Sequence, residues 1–304
     1  MSAIEINNLS KNYGEISAVR NFSLNIKSNT MFGLVGPDGA GKTTLIRILA
    51  GLLDPDYGTV LISGRDIKKH PHIIKEKAGY LSQRFSLYTD LTVDENIEFI
   101  SVIHGVKKFH KRRDELLEFT RLIKFRKFLA GQLSGGMKQK LSLACALIFK
   151  PELLLMDEPT TGVDPVSRRE FWMILSELMK EKLTIIVSTP YMDEAERFNE
   201  IVMMNSGTII AKGAPDEIKS LMNEMIIEIV CSPVRNAYKL LRENLENEIQ
   251  LFGDRLHIEV RNNETLDARI KKLLEENSIA VSDFRKITPS LENAFIHLIR
   301  DKIE

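Results

Sequence analysis

Apolar and polar residues alternate with period two near the start of the chain: Ile4, Ile6 and Leu9, then Phe22, Leu24 and Ile26. That spacing predicts antiparallel strands over 4–27, with one face on a core. Met31-Phe-Gly-Leu-Val35 is a short apolar strand running directly into a glycine-rich loop. Thr43 to Ala50 then reads as a helix stopped by Gly51. Further on, Leu153 to Met156 and Thr184 to Val187 are continuous apolar runs of buried-strand length. Strands separated by helices imply an α/β fold with a mostly parallel sheet.

Between Gln83 and Gly131 the rhythm becomes helical. Thr92 and Glu95 form a capping box, each able to satisfy the other's backbone donor, and Ile97, Ile100 and Ile103 continue that helix's apolar face. A second helix is expected from Arg113 to Lys124, and a third from Met137 to Phe149. After about Ser220 the pattern changes again. Met225 to Val230 reads as strand and Val234 to Leu245 as helix. Ile249 to Phe252 and Leu256 to Val260 form a hairpin turning at Gly253-Asp254. Leu266 to Leu274 is helical, Ile279 to Phe284 strand and Leu291 to Ile299 helical. This β-α-β-β-α-β order with a final helix suits a small α+β ferredoxin-like sandwich. Two domains are therefore expected, 1–220 and 221–304.

Composition narrows the options. The 304 residues carry 42 Lys+Arg against 42 Asp+Glu, a formal net charge of zero, so a broad basic face for nucleic acid is not expected. Cys145 and Cys231 lie far apart without metal-site spacing and read as thiols in a reducing compartment. The N-terminus has no basic region followed by an apolar core, so no secretion signal is expected. Nowhere do about 18 apolar residues run together. Any transport function would need membrane helices on another polypeptide.

The chemistry concentrates in a few segments. Gly36-Pro37-Asp38-Gly39-Ala40-Gly41-Lys42-Thr43, continued by Thr44, fits the phosphate-loop pattern, and the strand before it and helix after it supply the required context. Glycines let the backbone approach a triphosphate, and the helix presents its positive end there. Lys42 supplies a cation for the β and γ phosphates, and the Thr43 hydroxyl is placed to ligate Mg²⁺. Asp157 ends an apolar strand and Glu158 follows it. Adjacent strand residues point to opposite sides, so one acid can hold metal while the other polarises a water. Ser134-Gly135-Gly136 opens a helix and makes a second anion-binding corner.

Taken in order, the phosphate loop, Leu133-Ser-Gly-Gly-Met137, Leu153-Leu-Leu-Met-Asp-Glu-Pro159 and Thr161-Gly-Val-Asp164 resemble the ATP-binding-cassette (ABC) ATPases. The resemblance covers residues 4 to about 220 and places a helical subdomain at about 84–133. It implies ATP and Mg²⁺ as ligands, with Glu158 as catalytic base and Gln83, after Ala78-Gly-Tyr-Leu-Ser82, as positioner of water and metal. Thr43 and Asp157 would organise the metal. Tyr13 matches the aromatic that stacks on adenine. The Ser134–Gly136 corner would cap the γ-phosphate of an opposite protomer, and Asp164 matches an acid at the dimer seam. Implied partners are separate transmembrane permease subunits and a second nucleotide domain, alike or different, with the chain cytoplasmic and peripheral on the inner membrane face. The closing Ile287-Thr-Pro-Ser-Leu-Glu-Asn-Ala-Phe295 resembles a motif of the drug- and antibiotic-export branch.

One departure stands out. Where the family usually reads Ser-Thr-His-Tyr-Met-Asp-Glu-Ala, this chain has Ser188-Thr-Pro190-Tyr-Met-Asp-Glu-Ala195. Proline offers neither a side-chain nor a backbone donor to a γ-phosphate, and the six histidines sit elsewhere in the sequence. Slow hydrolysis in this chain's own site is the expectation. Two alternatives stay open: a hydrolytically weak regulatory subunit of a heterodimeric complex, and a non-transport ABC ATPase. The single cassette, the lack of a long coiled-coil insertion and the zero net charge weigh against the latter.

Overall fold

The computed structural model describes residues 2–222, 224–260 and 264–300. Its contacts divide the chain into two units, Met1–Pro215 and Asp216–Glu304. In the first, β1 (Ser2–Tyr13) and β2 (Ile16–Lys27) form a hairpin. Then come β3 (Met31–Val35), α1 (Lys42–Leu49), β4 (Tyr57–Ile62), β5 (Arg65–Asp66), α2 (His72–Lys77) and β6 (Ala78–Leu81). Helices α3 (Val93–Ile103), α4 (Phe109–Phe119) and α5 (Gly135–Leu147) lead to β7 (Leu153–Asp157). The rest is α6 (Pro165–Leu178), β8 (Thr184–Thr189), α7 (Met192–Ala195), β9 (Glu200–Asn205) and β10 (Thr208–Gly213).

The period-two segment is an antiparallel sheet of order β2-β1-β4-β5. The continuous apolar runs make a second sheet, β10-β9-β3-β8-β7-β6, in which only β10 runs antiparallel to its neighbour. Every residue of β3, β7 and β8 is buried, as expected of strands covered on both faces. Phe22, Phe32, Leu45, Ile46 and Leu49 fill the core that joins the antiparallel sheet to α1 and the parallel sheet.

The helical stretch differs from expectation at both ends of its second helix. The Thr92–Glu95 box caps α3 as read, with Thr92 Oγ1 accepting from Glu95 N at 3.2 Å and Glu95 Oε2 accepting from Thr92 N at 2.7 Å. The next helix starts at Phe109 rather than Arg113 and ends at Phe119 rather than Lys124. Its basic opening is tolerated because Arg113 lies 3.5 Å from Asp94. It stops because Arg121 takes a left-handed backbone, φ 60, and Ile123–Phe125 continues as a separate 3₁₀ turn. Among the described residues, no helix is long and apolar enough to cross a membrane.

After α8 (Pro215–Lys219), the second unit runs β11 (Met225–Ser232), α9 (Val234–Asn244), β12 (Ile249–Phe252), β13 (Arg255–Val260), α10 (Glu264–Glu276), β14 (Ala280–Ile287) and α11 (Leu291–Arg300). Its sheet is antiparallel with order β12-β13-β11-β14. One face sends Ile227, Ile229, Leu256 and Ile258 into a core with Ala237, Leu241, Ile270 and Leu274. The opposite face is polar yet buried: Glu228, Gln250 and Glu259 are each under 10 % exposed. Helix α11 reaches this face through Asn293, which donates to Gln250 Oε1 at 3.0 Å, and His297, 3.3 Å from Glu259.

Burial acts to raise the Glu228 pKa, but hydrogen bonds from Arg285, His257 and Arg255 outweigh it and hold the carboxyl down at about 2. A carboxyl depressed from 4.5 stabilises the fold above its unfolded pKa and loses that contribution as pH falls through its folded value. Glu228→Gln should therefore destabilise the second unit at pH 6, with the deficit shrinking as pH drops below 4.5 toward 2. Thermal unfolding of the full chain followed by circular dichroism checks this; a deficit independent of pH would refute it.

Candidate functional site

Parallel pairing sets the carboxyl ends of four strands along one rim: Val35 lies opposite Thr189, Asp157 opposite Ser188 and Leu81 opposite Met156. Ligands of open α/β sheets gather at such rims. The loop after β3 carries Gly36 to Gly41. Gly41 has φ 97, and a Cβ there would lie 2.2 Å from the Ala18 carbonyl oxygen, so the close approach of loop to β2 requires glycine. The first intrahelical bond of α1 is Leu45 N to Gly41 O at 3.0 Å. The N–H groups of Lys42, Thr43 and Thr44 precede it, the arrangement that binds anions at helix starts. Lys42 is 3 % exposed; its Nζ donates to Gly36 O at 2.8 Å and Pro37 O at 3.0 Å, and lies 3.3 Å from Glu158 Oε1.

Asp157 faces α1. Thr43 Oγ1 donates to its Oδ1 at 3.0 Å and Ser188 Oγ at 2.7 Å, while Oδ2 is buried without a hydrogen-bond partner. An orphaned buried carboxylate oxygen beside a hydroxyl is the all-oxygen environment that a hard divalent ion satisfies. The residues present fit Mg²⁺. Asp157's negative charge also reaches Tyr80 on β6: burial first, then that charge, raises the tyrosine pKa.

Glu158 corrects one expectation. It does not continue the strand; β7 ends at Asp157 and Glu158 has a left-handed backbone, φ 46. A turn, not the pleat, separates the two acids. Ser188 anchors that turn, accepting from Glu158 N with its hydroxyl at 3.0 Å and with its carbonyl at 3.1 Å. Gln83 Nε2 donates to Glu158 Oε2 at 2.9 Å, so its amide meets Glu158 rather than Asp157. Phosphate-loop residues, Gln83, Asp157 and Glu158 thus converge.

A second group assembles separately. Ser134 caps α5, its hydroxyl accepting from Met137 N at 3.3 Å, and both Ser134 and Gly135 are exposed. A Cβ on Gly136 would fall 2.3 Å from Ser167 Cβ, so α5 starts directly against α6. Asp164 caps α6, accepting from Ser167 N at 3.0 Å; hydrogen bonds from the Ser167 backbone and then its side chain lower the Asp164 pKa. Its carboxylate is occupied by its own helix. Tyr13 sits at the tip of the β1–β2 hairpin, 47 % exposed.

Sequence reasoning missed Ser188, which ties both acids together, and Glu194, buried behind Thr189 and Thr160. The available signal was the hydroxyl pair Ser188-Thr189 ending an otherwise apolar strand. Beside Gln83 opens a cavity of about 890 Å³, lined by Ser82, Tyr80, Tyr88, Phe99, His104 and Phe149 among others.

These features define a P-loop nucleotide-binding protein. Residues 19–161 match the family model described as ABC transporter. The chain is 38% identical over 306 residues to the probable multidrug ABC transporter ATP-binding protein YbhF of Escherichia coli K12, covering 98% of this chain but only 52% of that protein. It therefore spans about half the length of that relative. It is 32% identical to the daunorubicin resistance ATP-binding protein DrrA3 of Streptomyces coeruleorubidus, covering 99% of this chain and 96% of that one. A dimeric ABC cassette solved in a post-hydrolysis state with ADP and Pi superposes with TM-score 0.64 at 28% identity, over 69% of this chain and 98% of that chain. The chain belongs to the ABC transporter ATP-binding protein family.

If Asp157 Oδ2 is a metal ligand, Asp157→Asn should cost about 1.5–3 kcal/mol, roughly tenfold or more in affinity, as for other bonds to charged groups. Titration with a fluorescent ATP analogue should show that loss with Mg²⁺ and much less of it with EDTA. Equal affinities in Mg²⁺ would remove Asp157 from the metal site.

Proposed function

We propose that this chain is the ATP-hydrolysing subunit of an exporter, working on separate permease subunits. The observation that carries the reading is that Lys42 pairs with Glu158 while Thr43 bonds Asp157 Oδ1, leaving Asp157 Oδ2 buried and unpartnered beside them. Phosphate oxygens compete with the Gly36 and Pro37 carbonyls for Lys42, while the α1 N–H groups receive the anion. Thr43 and Asp157 would hold Mg²⁺, which when bound neutralises charge on the β and γ phosphates. Glu158 Oε2 accepts the proton of the attacking water, and Gln83, already bonded to that oxygen, orients it. Tyr13 would supply the adenine platform; it lies on the hairpin whose Ala18 carbonyl abuts Gly41.

Besides capping α5, Ser134 is exposed together with Gly135 at the start of that helix, which supports a second nucleotide domain whose phosphates they cap. The aromatic-lined cavity beside Gln83 supports a permease element seated there, so that docking is felt at Glu158. An export role and a membrane-peripheral location rest on the motif resemblance and on relatives named for multidrug and daunorubicin resistance, and the ferredoxin-like character of 221–304 rests on its β-α-β-β-α-β order.

Pro190 favours slow turnover. Losing one preorganised donor to the transition state costs about 2.7–4 kcal/mol, roughly 10²–10³ in rate. Steady-state phosphate release tests both halves of the reading. Lys42→Ala should abolish turnover, Ser134→Arg should abolish it together with ATP-dependent dimerisation, and Pro190→His should raise it. Undiminished turnover in Lys42→Ala or Ser134→Arg would overturn the shared-site mechanism; no gain from Pro190→His would remove the handicap.

A further inference from the structure

Glu194 lies on α7, immediately after the segment holding Pro190, and is 1 % exposed. It accepts four hydrogen bonds from three different parts of the fold. Its Oε1 takes Thr160 Oγ1 at 2.5 Å, Arg168 Nε at 2.7 Å and Trp172 Nε1 at 3.1 Å; its Oε2 takes Thr189 Oγ1 at 2.6 Å. Four donors fill the lone-pair capacity of a carboxylate. A buried charge persists only with such complete pairing, and removing one partner leaves it exposed to the low-dielectric interior.

The identity of the donors gives the cluster its meaning. Thr160 stands two residues past Glu158, in the turn that forces Glu158 into its left-handed backbone. Arg168 and Trp172 belong to α6, the helix that Asp164 caps and against which Gly136 packs. Thr189 ends β8, and its carbonyl accepts from Gly36 N in the phosphate loop at 3.3 Å. Arg168 also grips both Asp193 oxygens, at 3.0 and 2.9 Å, and its guanidinium lies 4.7 Å from the Tyr191 ring centre. Burial acts to lower the Arg168 pKa, but Glu194 and Asp193 outweigh it and raise the value, keeping the cation fixed there.

We propose that Glu194 is a positioning residue for ATP hydrolysis, acting through Thr160 and Thr189 to hold the Glu158 turn in register with α6 and with the end of β8. It touches no reacting atom. The Thr160 bond fixes the turn behind Glu158, while Thr161 Oγ1, 3.3 Å from Glu158 Oε2, fixes it in front. Movement of the start of α6 by a second nucleotide domain is thereby passed to Glu158 and to the Pro190 segment together. In a chain lacking the usual histidine, alignment of Glu158 is the main remaining protein contribution to the water's attack. Misplacement by about 1 Å costs on the order of 10²-fold in rate.

The inference rests on the ATPase reading, and its test separates the two. Thr160→Val removes the donor at constant volume, and Thr160→Ser restores it. In the full chain, Thr160→Val should lower kcat tenfold or more while KM and the Kd for a fluorescent ATP analogue in Mg²⁺ stay within about twofold, and Thr160→Ser should recover kcat. Thr189→Val, which strips the other carboxylate oxygen, should repeat the kcat loss, and the double variant should add little to it. An unchanged kcat in Thr160→Val, a parallel loss of affinity, or a Thr160→Ser variant as impaired as Thr160→Val overturns the role of Glu194. Should Thr160→Val fail to fold, the Thr189→Val and Thr189→Ser pair decides by the same criteria. A wild-type chain whose turnover equals that of Lys42→Ala overturns the ATPase reading itself, and this inference with it.

Discussion

The parallel pairing of β3, β8 and β7 is the constraint on which the site depends. Pairing of Val35 with Thr189 and of Asp157 with Ser188 brings residues more than a hundred positions apart to one rim. A one-residue slip would turn each side chain to the opposite face. Asp157 would then leave Thr43, and Ser188 would leave both acids. The register is secured by complete burial of all three strands, so the apolar core fixes the polar geometry. Nothing in the phosphate loop alone could do this, because that loop determines only its own approach to an anion.

Strain sits at Glu158, the residue proposed as the base. A left-handed backbone at a non-glycine costs on the order of 1–3 kcal/mol and survives only where its surroundings over-determine it. Around Glu158 they do. Its N–H is held by two acceptors on Ser188, its carboxylate by Gln83, Lys42 and Thr161, and the turn beyond it by the Thr160–Glu194 bond. Lys42 and Glu158 form a buried ion pair, and both partners are proposed to act on a nucleotide. Pairing them with each other keeps each charge compensated in the cleft.

Local features were legible in the chain. The glycine loop, the Thr92–Glu95 box and the strand ending in Asp157 depend on neighbours a few residues away, and hydrophobic periodicity located β1–β3, α1, α3–α5, β7, β8 and the elements from β11 onward, but not β4–β6, α2, α6–α8, β9 or β10. Two kinds of feature were not legible. Glu158's turn violates the strand alternation that the apolar run suggests, and only the tertiary anchor on Ser188 explains it. Glu194 reads as one more acid in a charged segment, because its donors come from as far as 34 residues away. The start of α4 was placed at Arg113, four residues late, and the ion pair of Arg113 with Asp94 on another helix is a tertiary contact that local pattern does not show.

The second unit shows the same logic with a different result. Its strands alternate as expected, yet the face opposite the apolar core is buried as well, and it is polar. Glu228, Gln250 and Glu259 remain there because α11 and the flanking arginines supply donors to each. Replacing such a network by apolar residues is often neutral or better for stability, so stability alone is a weak reason for its presence. What the network does provide is directionality: Asn293 and His297 meet defined partners only when α11 lies in one position along the sheet. A purely apolar seam would let the helix slide, whereas the paired polar groups admit a single seating.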